Sequence, residues 1–256
     1  IYQLVMDFSD ILSQWYAINK RDLPWRSTVN PYYIWLSEII LQQTRVNQGL
    51  PYYLKFIDAF PAVADLANAD EDLVLKLWQG LGYYSRARNL QFSAKLILSE
   101  FGGNFPDNHA DILKLKGVGS YTAAAISSFS FGLPFAVLDG NVIRVLSRVF
   151  GIQTPFDTTA GKKQFQKLAQ ELLDKKNPAE YNQAIMEFGA LQCVPKSPKC
   201  NDCPIVNDCI AFNTNTVSLL PVKSKKLKVK NRFLHFLVVN KNNEVLIGKR
   251  NSGIWQ

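Results

Sequence analysis

Four cysteines set the strongest constraint on this chain. Cys193, Cys200, Cys203 and Cys209 are spaced C-x6-C-x2-C-x5-C, and no other cysteine occurs among the 256 residues. Four thiolates this close in sequence suit a structural zinc site or an iron-sulfur cluster, although the spacing fits neither a zinc ribbon nor a thioredoxin-like motif. Two local disulfides are the alternative, which an intracellular chain disfavours. Neither histidine of the chain lies near the cysteines, so we expect a closed, thiolate-only site with a structural role.

Length and composition predict a globular intracellular protein with one large or two modest domains. The chain is 47% hydrophobic and 20% charged, which excludes disordered and collagen-like chains. We expect neither a secretory signal nor a membrane span, because Asp7 and Asp10 lie near the start and the least polar segment, 123–138, contains Gly132 and Pro134. The net charge of +8 is compatible with an anionic partner but does not identify one, because a basic balance also serves solubility.

Apolar residues recur with a period near 3.6 almost continuously to about residue 212, which predicts an all-α body. The pattern predicts a first amphipathic helix over 4–16, a second from Pro31 to about Gln48 and a third from Asp70 to Gln79. Further helices are expected over 84–101, 108–115, 120–130, 141–150, 158–176 and 178–192.

The composition changes after the helical body. Residues 221–232 form a basic linker that carries Lys223 and five further lysines or arginines without an acidic residue, and we interpret it as a solvated connection in preference to a specific binding patch. Residues 233–240 and 244–248 flank a polar turn and predict a β-hairpin. Because an isolated two-stranded unit is marginal in water, residues 233–256 are expected to be the truncated start of a second, β-containing domain.

Two short motifs in the helical body are candidates for chemistry. Residues 115–123 read L-K-G-V-G-S-Y-T-A, a tight Gly-x-Gly turn between helices whose backbone N–H groups suit a phosphate. About twenty residues further on, Asp139 stands in V-L-D-G-N-V. Taken singly, the turn is equally well a helix C-cap and Asp139 an N-cap.

Glu38 is a candidate proton donor. On a helix it shares an apolar face with Ile34, Trp35 and Leu41. Such surroundings should raise the pKa of its carboxyl group, as a proton donor requires at neutral pH. The alternative is a partly exposed glutamate at the edge of an amphipathic helix.

The hairpin, the aspartate and the cysteines, in this order, resemble the helix-hairpin-helix and Gly/Pro-Asp superfamily of DNA glycosylases. Within it the chain is similar to the adenine DNA glycosylases of the MutY type through L-P-W-R at 23–26, W-L-S-E-I-I-L-Q-Q-T-R-V at 35–46, L-W-Q-G-L-G-Y-Y-S-R-A-R-N-L at 77–90 and V-L-D-G-N-V at 137–142. The resemblance covers about residues 4–220. It implies an all-α, two-lobed body, with a six-helix module at 24–133 and an iron-sulfur cluster lobe made from 1–23 and 134–220, and it identifies 233–256 as the start of an α/β Nudix-like domain.

The resemblance implies base excision repair, in which the N-glycosidic bond of adenine mispaired with 8-oxoguanine or guanine is hydrolysed. Glu38 then protonates adenine N7 and helps to activate water. Asp139 stays ionised and stabilises the oxocarbenium-like sugar, directly or through a transient covalent adduct. Asn141 orders the sugar and the water, and Tyr121 hydrogen-bonds Asp139. Lyase-type relatives carry a lysine where Tyr121 stands, so a monofunctional hydrolase is expected.

The resemblance also assigns the residues around an extruded base. Gln43 and Tyr83 match side chains inserted around the orphaned partner base. The adenine pocket is matched by Arg21, Leu23, Trp25, Arg26, Val46 and Gln183. Contacts with DNA phosphates are expected from Gly117, Gly119, Ser120, Arg86, Arg88, Lys196 and Lys199.

The remaining implications concern the cofactor, the partner and the location. The four cysteines are expected to hold a 4Fe-4S cluster, and the partner is double-stranded DNA. The chain is expected to act as a monomer without membrane association, in the cytoplasm with the nucleoid or in a nucleus. Two alternatives stay open: a thymine-removing or lyase-type member of the superfamily, and a non-enzymatic DNA-binding or electron-transfer module centred on the cluster.

Overall fold

The computed structural model describes residues 2–224, 233, 235, 237–242 and 244–246, apart from the side chains of residues 2–7. The chain separates into two compact units, 1–224 and 225–256. Every helix among the described residues is too short or too polar to cross a membrane.

The larger unit is mostly helical, as the periodicity predicts. Single-turn 3₁₀ helices cover Pro24–Arg26, Cys200–Asp202 and Val206–Asp208. The α-helices are α1 (Tyr2–Asn19), α2 (Pro31–Leu41), α3 (Val46–Ala59), α4 (Val63–Asn68), α5 (Glu71–Trp78), α6 (Ser85–Glu100), α7 (His109–Ile112), α8 (Ser120–Phe131), α9 (Gly140–Val149), α10 (Thr159–Leu172), α11 (Pro178–Leu191) and α12 (Ile210–Asn213).

Local sequence sets where several helices begin. Pro31 takes the first position of α2, and the Asn30 side chain accepts a hydrogen bond from the Tyr32 N–H at 3.0 Å. Asp70 caps α5 in the same way, accepting from the Asp72 N–H at 2.8 Å. Each cap satisfies a backbone donor that lacks a partner within its own helix.

The prediction of one helix from Pro31 to about Gln48 was wrong. Helix α2 ends at Leu41, Gln43 takes a left-handed φ of +56°, and α3 begins at Val46. Neither glycine nor proline marks this stop, so the sequence did not signal it. The helix expected over 108–115 is likewise reduced to α7, because the chain turns at 113–119 to enter α8.

The buried hydrophobic side chains form two clusters. One is built mainly from α2 to α6 around Trp35, Phe56 and Trp78, and the other from α1 and α9 to α11 around Phe165 and Phe188. Helix α8 packs on both, since Ala123 and Ile126 belong to the first cluster while Ala124 and Ala125 belong to the second. The first turn of α8 is therefore held between the two cores.

The smaller unit contains a short antiparallel hairpin. Strand β1 (Asn240–Lys241) pairs with β2 (Glu244–Val245), and the Leu246 N–H donates to the Val239 carbonyl at 3.1 Å. The outer parts of the predicted strands include residues 234, 236, 247 and 248, which lie outside the described residues, as does the linker from 225 to 232.

Candidate active site

A cavity of about 500 Å³ lies beside the first turn of α8 and brings together side chains that are far apart in sequence. It collects every predicted catalytic residue and every predicted adenine-pocket residue, together with one of the two predicted inserting side chains. These residues are Arg21, Leu23, Trp25, Arg26, Glu38, Gln43, Val46, Tyr121, Asp139, Asn141 and Gln183.

Glu38 projects from α2 into this cavity, and it is only 9% exposed. Burial raises the pKa of its carboxyl group to about 7; the nearby charge of Asp139 adds to this, and a hydrogen bond from Tyr121 opposes it. A carboxylic acid in this range retains its proton for much of the time at neutral pH. The structure thus gives Glu38 the buried environment that its apolar helix face predicts.

Asp139 stands at the N-cap of α9 in a more polar environment. Its carboxylate accepts from the Val142 N–H at 2.8 Å and from Asn141 Nδ2 at 2.7 Å. Burial raises the pKa of Asp139, while these hydrogen bonds and the charge of Arg144 act to lower it. Its role as a helix cap and its position in the cavity are therefore compatible, because one carboxylate oxygen meets Val142 and the other meets Asn141.

The expected hydrogen bond from Tyr121 to Asp139 is replaced by other contacts. The buried Tyr121 hydroxyl lies 3.8 Å from Met186 Sδ, and it interacts with the Glu38 carboxyl group. Burial, followed by the charges of Glu38 and Asp139, raises the pKa of Tyr121 well above its usual value. Tyr121 is thus a neutral hydroxyl placed next to the Glu38 carboxyl group.

Arg144 connects Asn141, the partner of Asp139, to the cysteine loop, a link that was not among the predicted site residues. Its guanidinium group donates to Asn141 Oδ1 at 2.8 Å, to the Gly189 carbonyl at 2.6 Å and to the Cys193 carbonyl at 2.7 Å. Asn141 is therefore fixed from both ends, by Asp139 and by Arg144. The sequence signal that could have pointed to Arg144 is its position one turn into the helix that Asp139 caps.

Glu187, also absent from the sequence analysis, binds both arginines of the predicted adenine pocket. Its carboxylate accepts from Arg21 at 2.8 and 2.6 Å and from Arg26 at 2.9 and 2.7 Å. Burial acts to raise the pKa of Glu187, but the hydrogen bonds from Arg26 and Arg21 lower it to about 2. The two guanidinium groups thus form a fixed ionic wall of the cavity.

The other pocket residues have defined partners as well. The Trp25 ring meets Tyr53 edge-on with centroids 5.1 Å apart. The side-chain oxygen of Gln183 accepts from the Tyr16 hydroxyl at 2.7 Å. Gln183 is therefore half-buried and hydrogen-bonded, although an exposed helical glutamine would look the same in sequence.

Gln43 and Tyr83, the predicted inserting residues, share an unusual backbone. Both are non-glycine residues in the left-handed region, with φ of +56° and +47°. From sequence alone, Tyr83 and Tyr84 could also be core aromatics, but they are 65% and 39% exposed. Such left-handed positions cost energy and persist only where neighbouring contacts hold them.

Among the predicted phosphate contacts, Arg86 was wrong. Its guanidinium group is buried and donates to backbone carbonyls on two loops. Arg88, Lys196 and Lys199 are exposed, with Arg88 forming a surface ion pair to Glu71 at 3.0 Å. These three side chains are accessible to an anionic partner.

The hairpin between α7 and α8 has the backbone that its glycines predict. Gly117 has a φ of +86°, and a Cβ there would lie 3.3 Å from the Asn89 Cβ. Gly119 is the N-cap of α8, and both Gly119 and Ser120 are exposed. The free N–H groups at the start of α8 therefore face solvent, where an anion can reach them.

The four cysteines line one small cavity of about 30 Å³, together with Arg148. All four are free thiols, so the disulfide alternative is not formed. Within the described residues, no three Cys, His, Asp or Glu side chains converge closely enough to hold a metal ion. Arg148 donates to Cys193 Sγ at 3.4 Å and to the Val194 carbonyl at 2.8 Å. The donor chemistry fits a soft, thiolate-only site, because the four cysteine sulfurs line one cavity beside the positive charge of the Arg148 guanidinium group.

A helical body, a Gly-x-Gly turn before α8 and the carboxyl groups of Glu38 and Asp139 in one cavity agree with a base-excising DNA glycosylase, the class that the comparisons show. A family profile described as HhH-GPD superfamily base excision DNA repair protein matches residues 36–175. The adenine DNA glycosylase of Buchnera aphidicola subsp. Baizongia pistaciae is 39% identical over 256 residues, covering 97% of this chain and 71% of the relative. The chain belongs to the HhH-GPD superfamily and, within it, to the adenine DNA glycosylases.

Two further similarities agree with this assignment. The adenine DNA glycosylase of Rattus norvegicus is 42% identical over 225 residues, which cover 82% of this chain and 44% of the relative. A solved thermostable thymine-DNA glycosylase has a TM-score of 0.77 and 29% identity, covering 83% of this chain and 98% of that one. The chain thus shares its fold with an enzyme named for a different base.

Replacing Glu187 with glutamine is expected to lower the free energy of unfolding by about 3 kcal/mol at pH 7, because it leaves two partly buried guanidinium groups without a counter-charge. Urea unfolding measures the loss. The pKa of Glu187 falls to about 2 from its ordinary 4.5, so the stabilisation is present above about pH 4.5 and disappears as the pH falls toward 2. The difference between the two proteins should therefore shrink on acidification.

Glu171→Gln is the matched control, since Glu171 forms an exposed pair with Lys167 at 3.7 Å. It should change stability by less than about 0.5 kcal/mol. Equal losses for the two variants would contradict a special role for the Glu187 cluster.

Proposed function

We propose that this chain is a monofunctional glycosylase that hydrolyses the N-glycosidic bond of adenine mispaired with 8-oxoguanine or guanine in double-stranded DNA. The observation that carries the proposal is the pair of carboxyl groups in one cavity. The pKa of Glu38 is raised to about 7 by burial, whereas Asp139 is held by an amide and a backbone N–H that favour its charged form. Burial also acts to raise the pKa of Asp139, and these two donors together with the charge of Arg144 act against it. A protonated Glu38 beside an ionised Asp139 would supply the acid and the anion that the reaction needs.

In the proposed reaction Glu38 donates a proton to adenine N7, which converts a poor leaving group into a neutral one. As the glycosidic bond breaks, positive charge develops on the sugar, and the Asp139 carboxylate stabilises it directly or as a transient adduct. Asn141 keeps Asp139 oriented and helps to order the sugar and the water. The Glu38 carboxylate left after the transfer then accepts a proton from the attacking water, and Tyr121 keeps its carboxyl group oriented.

The cavity of about 500 Å³ falls within the usual volume of small-molecule sites, roughly 300–1,000 Å³. We propose that the base enters between Leu23, Trp25 and Val46 on one side and the polar groups of Arg21, Arg26 and Gln183 on the other. Because Glu187 holds both guanidinium groups, the polar wall does not have to reorganise when a purine binds.

Extrusion of the base requires support for the opened stack. We assign this to Gln43 at the cavity edge and to Tyr83, whose exposed ring stands on a left-handed turn. The start of α8, with Gly117, Gly119 and Ser120, supplies N–H donors for a phosphate. The exposed side chains of Arg88, Lys196 and Lys199 supply positive charge for the backbone.

Hydrolysis without strand cleavage is proposed because the cavity lining contains no lysine among the described residues. A lyase needs an amine that attacks the sugar and forms a Schiff base. The hairpin position carries Tyr121, and Lys116 places its Nζ 4.7 Å from the centre of the Phe92 ring.

The four cysteine thiolates would hold a 4Fe-4S cluster, which when bound supplies covalent cross-linking of the 193–209 loop. Arg148 would stabilise the thiolates by charge and by its contact with Cys193 Sγ. The proposed role is structural, since Arg144 joins the same loop to Asn141 through the Cys193 carbonyl.

Residues 233–256 are proposed to belong to a Nudix-like domain. The β1–β2 pair supports this, together with the exposed apolar side chains of Phe233, Leu237 and Val238. A two-stranded hairpin with such side chains needs further structure against which to bury them.

Glu38→Gln is expected to lower the single-turnover rate of adenine release at least about 100-fold, because glutamine cannot donate the proton. Binding of mispaired DNA should change less than about threefold. In the unsubstituted enzyme the rate should fall as the pH rises above about 7, since the carboxyl group with that pKa loses its proton. A pH-independent rate, or unchanged release by the variant, would remove Glu38 from the mechanism.

A gel assay on duplexes distinguishes the reaction types. With adenine opposite 8-oxoguanine or guanine, strand breaks are expected only after hot alkali, because the products keep an intact sugar-phosphate backbone. Breaks without alkali would indicate a lyase, and activity on thymine opposite guanine would indicate a thymine-removing enzyme. A chain that binds these duplexes and releases no base would be a binding module.

Iron and acid-labile sulfide analysis tests the proposed cluster. The purified protein should contain both and absorb visible light through thiolate-to-iron charge transfer, and Cys203→Ser should diminish all three signals. A colourless protein that contains zinc would contradict the assignment.

A further inference from the structure

Arg86 lies outside the cavity yet contacts both loops that carry the proposed inserting side chains. It sits in the first turn of α6 and is 9% exposed. We propose that Arg86 is a positioning residue that couples Gln43 and Tyr83, so that the two side chains enter the opened base stack as one rigid unit. This inference rests on the inserting roles given to them under the proposed function.

The first set of contacts reaches the loop of Gln43. The guanidinium group donates to the carbonyls of Ile39 at 3.0 Å, Ile40 at 2.9 Å and Gln42 at 2.6 Å. These carbonyls lie at the C-terminal end of α2 and at its cap residue, where the Ile39 carbonyl also accepts from the Gln42 N–H at 3.4 Å. Helix ends leave carbonyls without their usual i+4 donors, so an added donor is favourable there. A cation there also interacts favourably with the negative end of the helix dipole. Arg86 therefore stabilises the chain reversal immediately before Gln43.

The second set of contacts reaches the loop of Tyr83. The other terminal nitrogen of Arg86 donates to the carbonyls of Leu81 at 3.3 Å and Gly82 at 3.4 Å. The guanidinium carbon Cζ lies 5.1 Å from the centre of the Trp78 ring and 5.8 Å from the centre of the Tyr83 ring. The guanidinium group thus contacts the backbone immediately before Tyr83 and the Tyr83 ring itself.

The left-handed backbone at Gln43 and Tyr83 needs stabilising contacts of this kind, which we call the Arg86 clamp. Gln43 and Tyr83 both adopt left-handed φ values without being glycine, a conformation that persists only where neighbouring contacts hold it. A planar group with several fixed donors suits this task, whereas a lysine ammonium in the same place cannot span both sets of carbonyls with fixed geometry. Replacing the Arg86 guanidinium group should therefore uncouple the two loops while the protein stays folded.

A double-mutant cycle on a duplex with adenine opposite guanine tests the clamp. Gln43→Ala, Tyr83→Ala and the double variant are compared by single-turnover rate, first with Arg86 present and then in Arg86→Lys. With Arg86 present, the fold-loss in rate of the double variant should differ from the product of the two single fold-losses by roughly fivefold or more. The reason is that coupled residues do not act independently. In Arg86→Lys the losses should multiply within about twofold.

Other readouts separate positioning from a general effect on folding. Arg86→Lys should slow base release while the pH at which activity falls, set by Glu38, stays the same. Lys95→Gln, which removes an exposed charge from the same helix, should leave both unchanged. If Arg86→Lys does not fold, Arg86→Gln takes its place in the cycle, because its amide cannot donate to both sets of carbonyls at once.

The mutant cycle distinguishes three explanations. Additive losses with Arg86 present would overturn the clamp while leaving the inserting roles intact. Single variants that release adenine at the normal rate would overturn the inserting roles themselves. Coupling that persists unchanged in Arg86→Lys would show that another contact joins the two loops.

Discussion

Buried arginines supply the hydrogen bonds that the loops of this protein cannot make for themselves. A buried carbonyl without a donor is costly, and the ends of helices leave several such groups. Arg86 serves the end of α2 and the turn before α6. Arg144 serves the carbonyls of Gly189 and Cys193, and Arg148 those of Val194 and Leu220. The guanidinium groups of these three arginines thus fix the loops that lie beside the proposed functional residues.

The two carboxyl groups of the cavity differ because of what surrounds them. Glu38 projects from the apolar helix α2, and burial outweighs its single hydrogen bond, so the pKa rises to about 7. Asp139 is half-buried, and although burial raises its pKa, the cap of α9 gives it backbone and amide donors that act in the opposite direction. Glu187 is buried as well, yet two arginines lower its pKa to about 2. The balance between burial and hydrogen-bond partners thus differs among the three acids that line the cavity.

Much of the helical body was predictable because its signals are local. The caps at Asn30 and Asp70 and the Gly-x-Gly turn lie within a few residues of the structure they determine. The end of α2 at Leu41 was missed because its cause is Arg86, more than forty residues away. The same distance explains the wrong phosphate assignment for Arg86, since an arginine beside two exposed tyrosines looks accessible until its carbonyl partners are known.

The sequence by itself determined the class of the fold, the candidate acid at Glu38, the aspartate after the hairpin and the set of cysteines. These follow from periodicity, spacing and motifs that few other arrangements share. Only the tertiary structure decided that Glu187 binds Arg21 and Arg26, that Tyr121 faces Glu38 and Met186, and that Arg86 is internal. The reason is physical. The partners and the exposure of a side chain depend on distant segments that packing brings into contact, and a local sequence pattern does not specify those contacts.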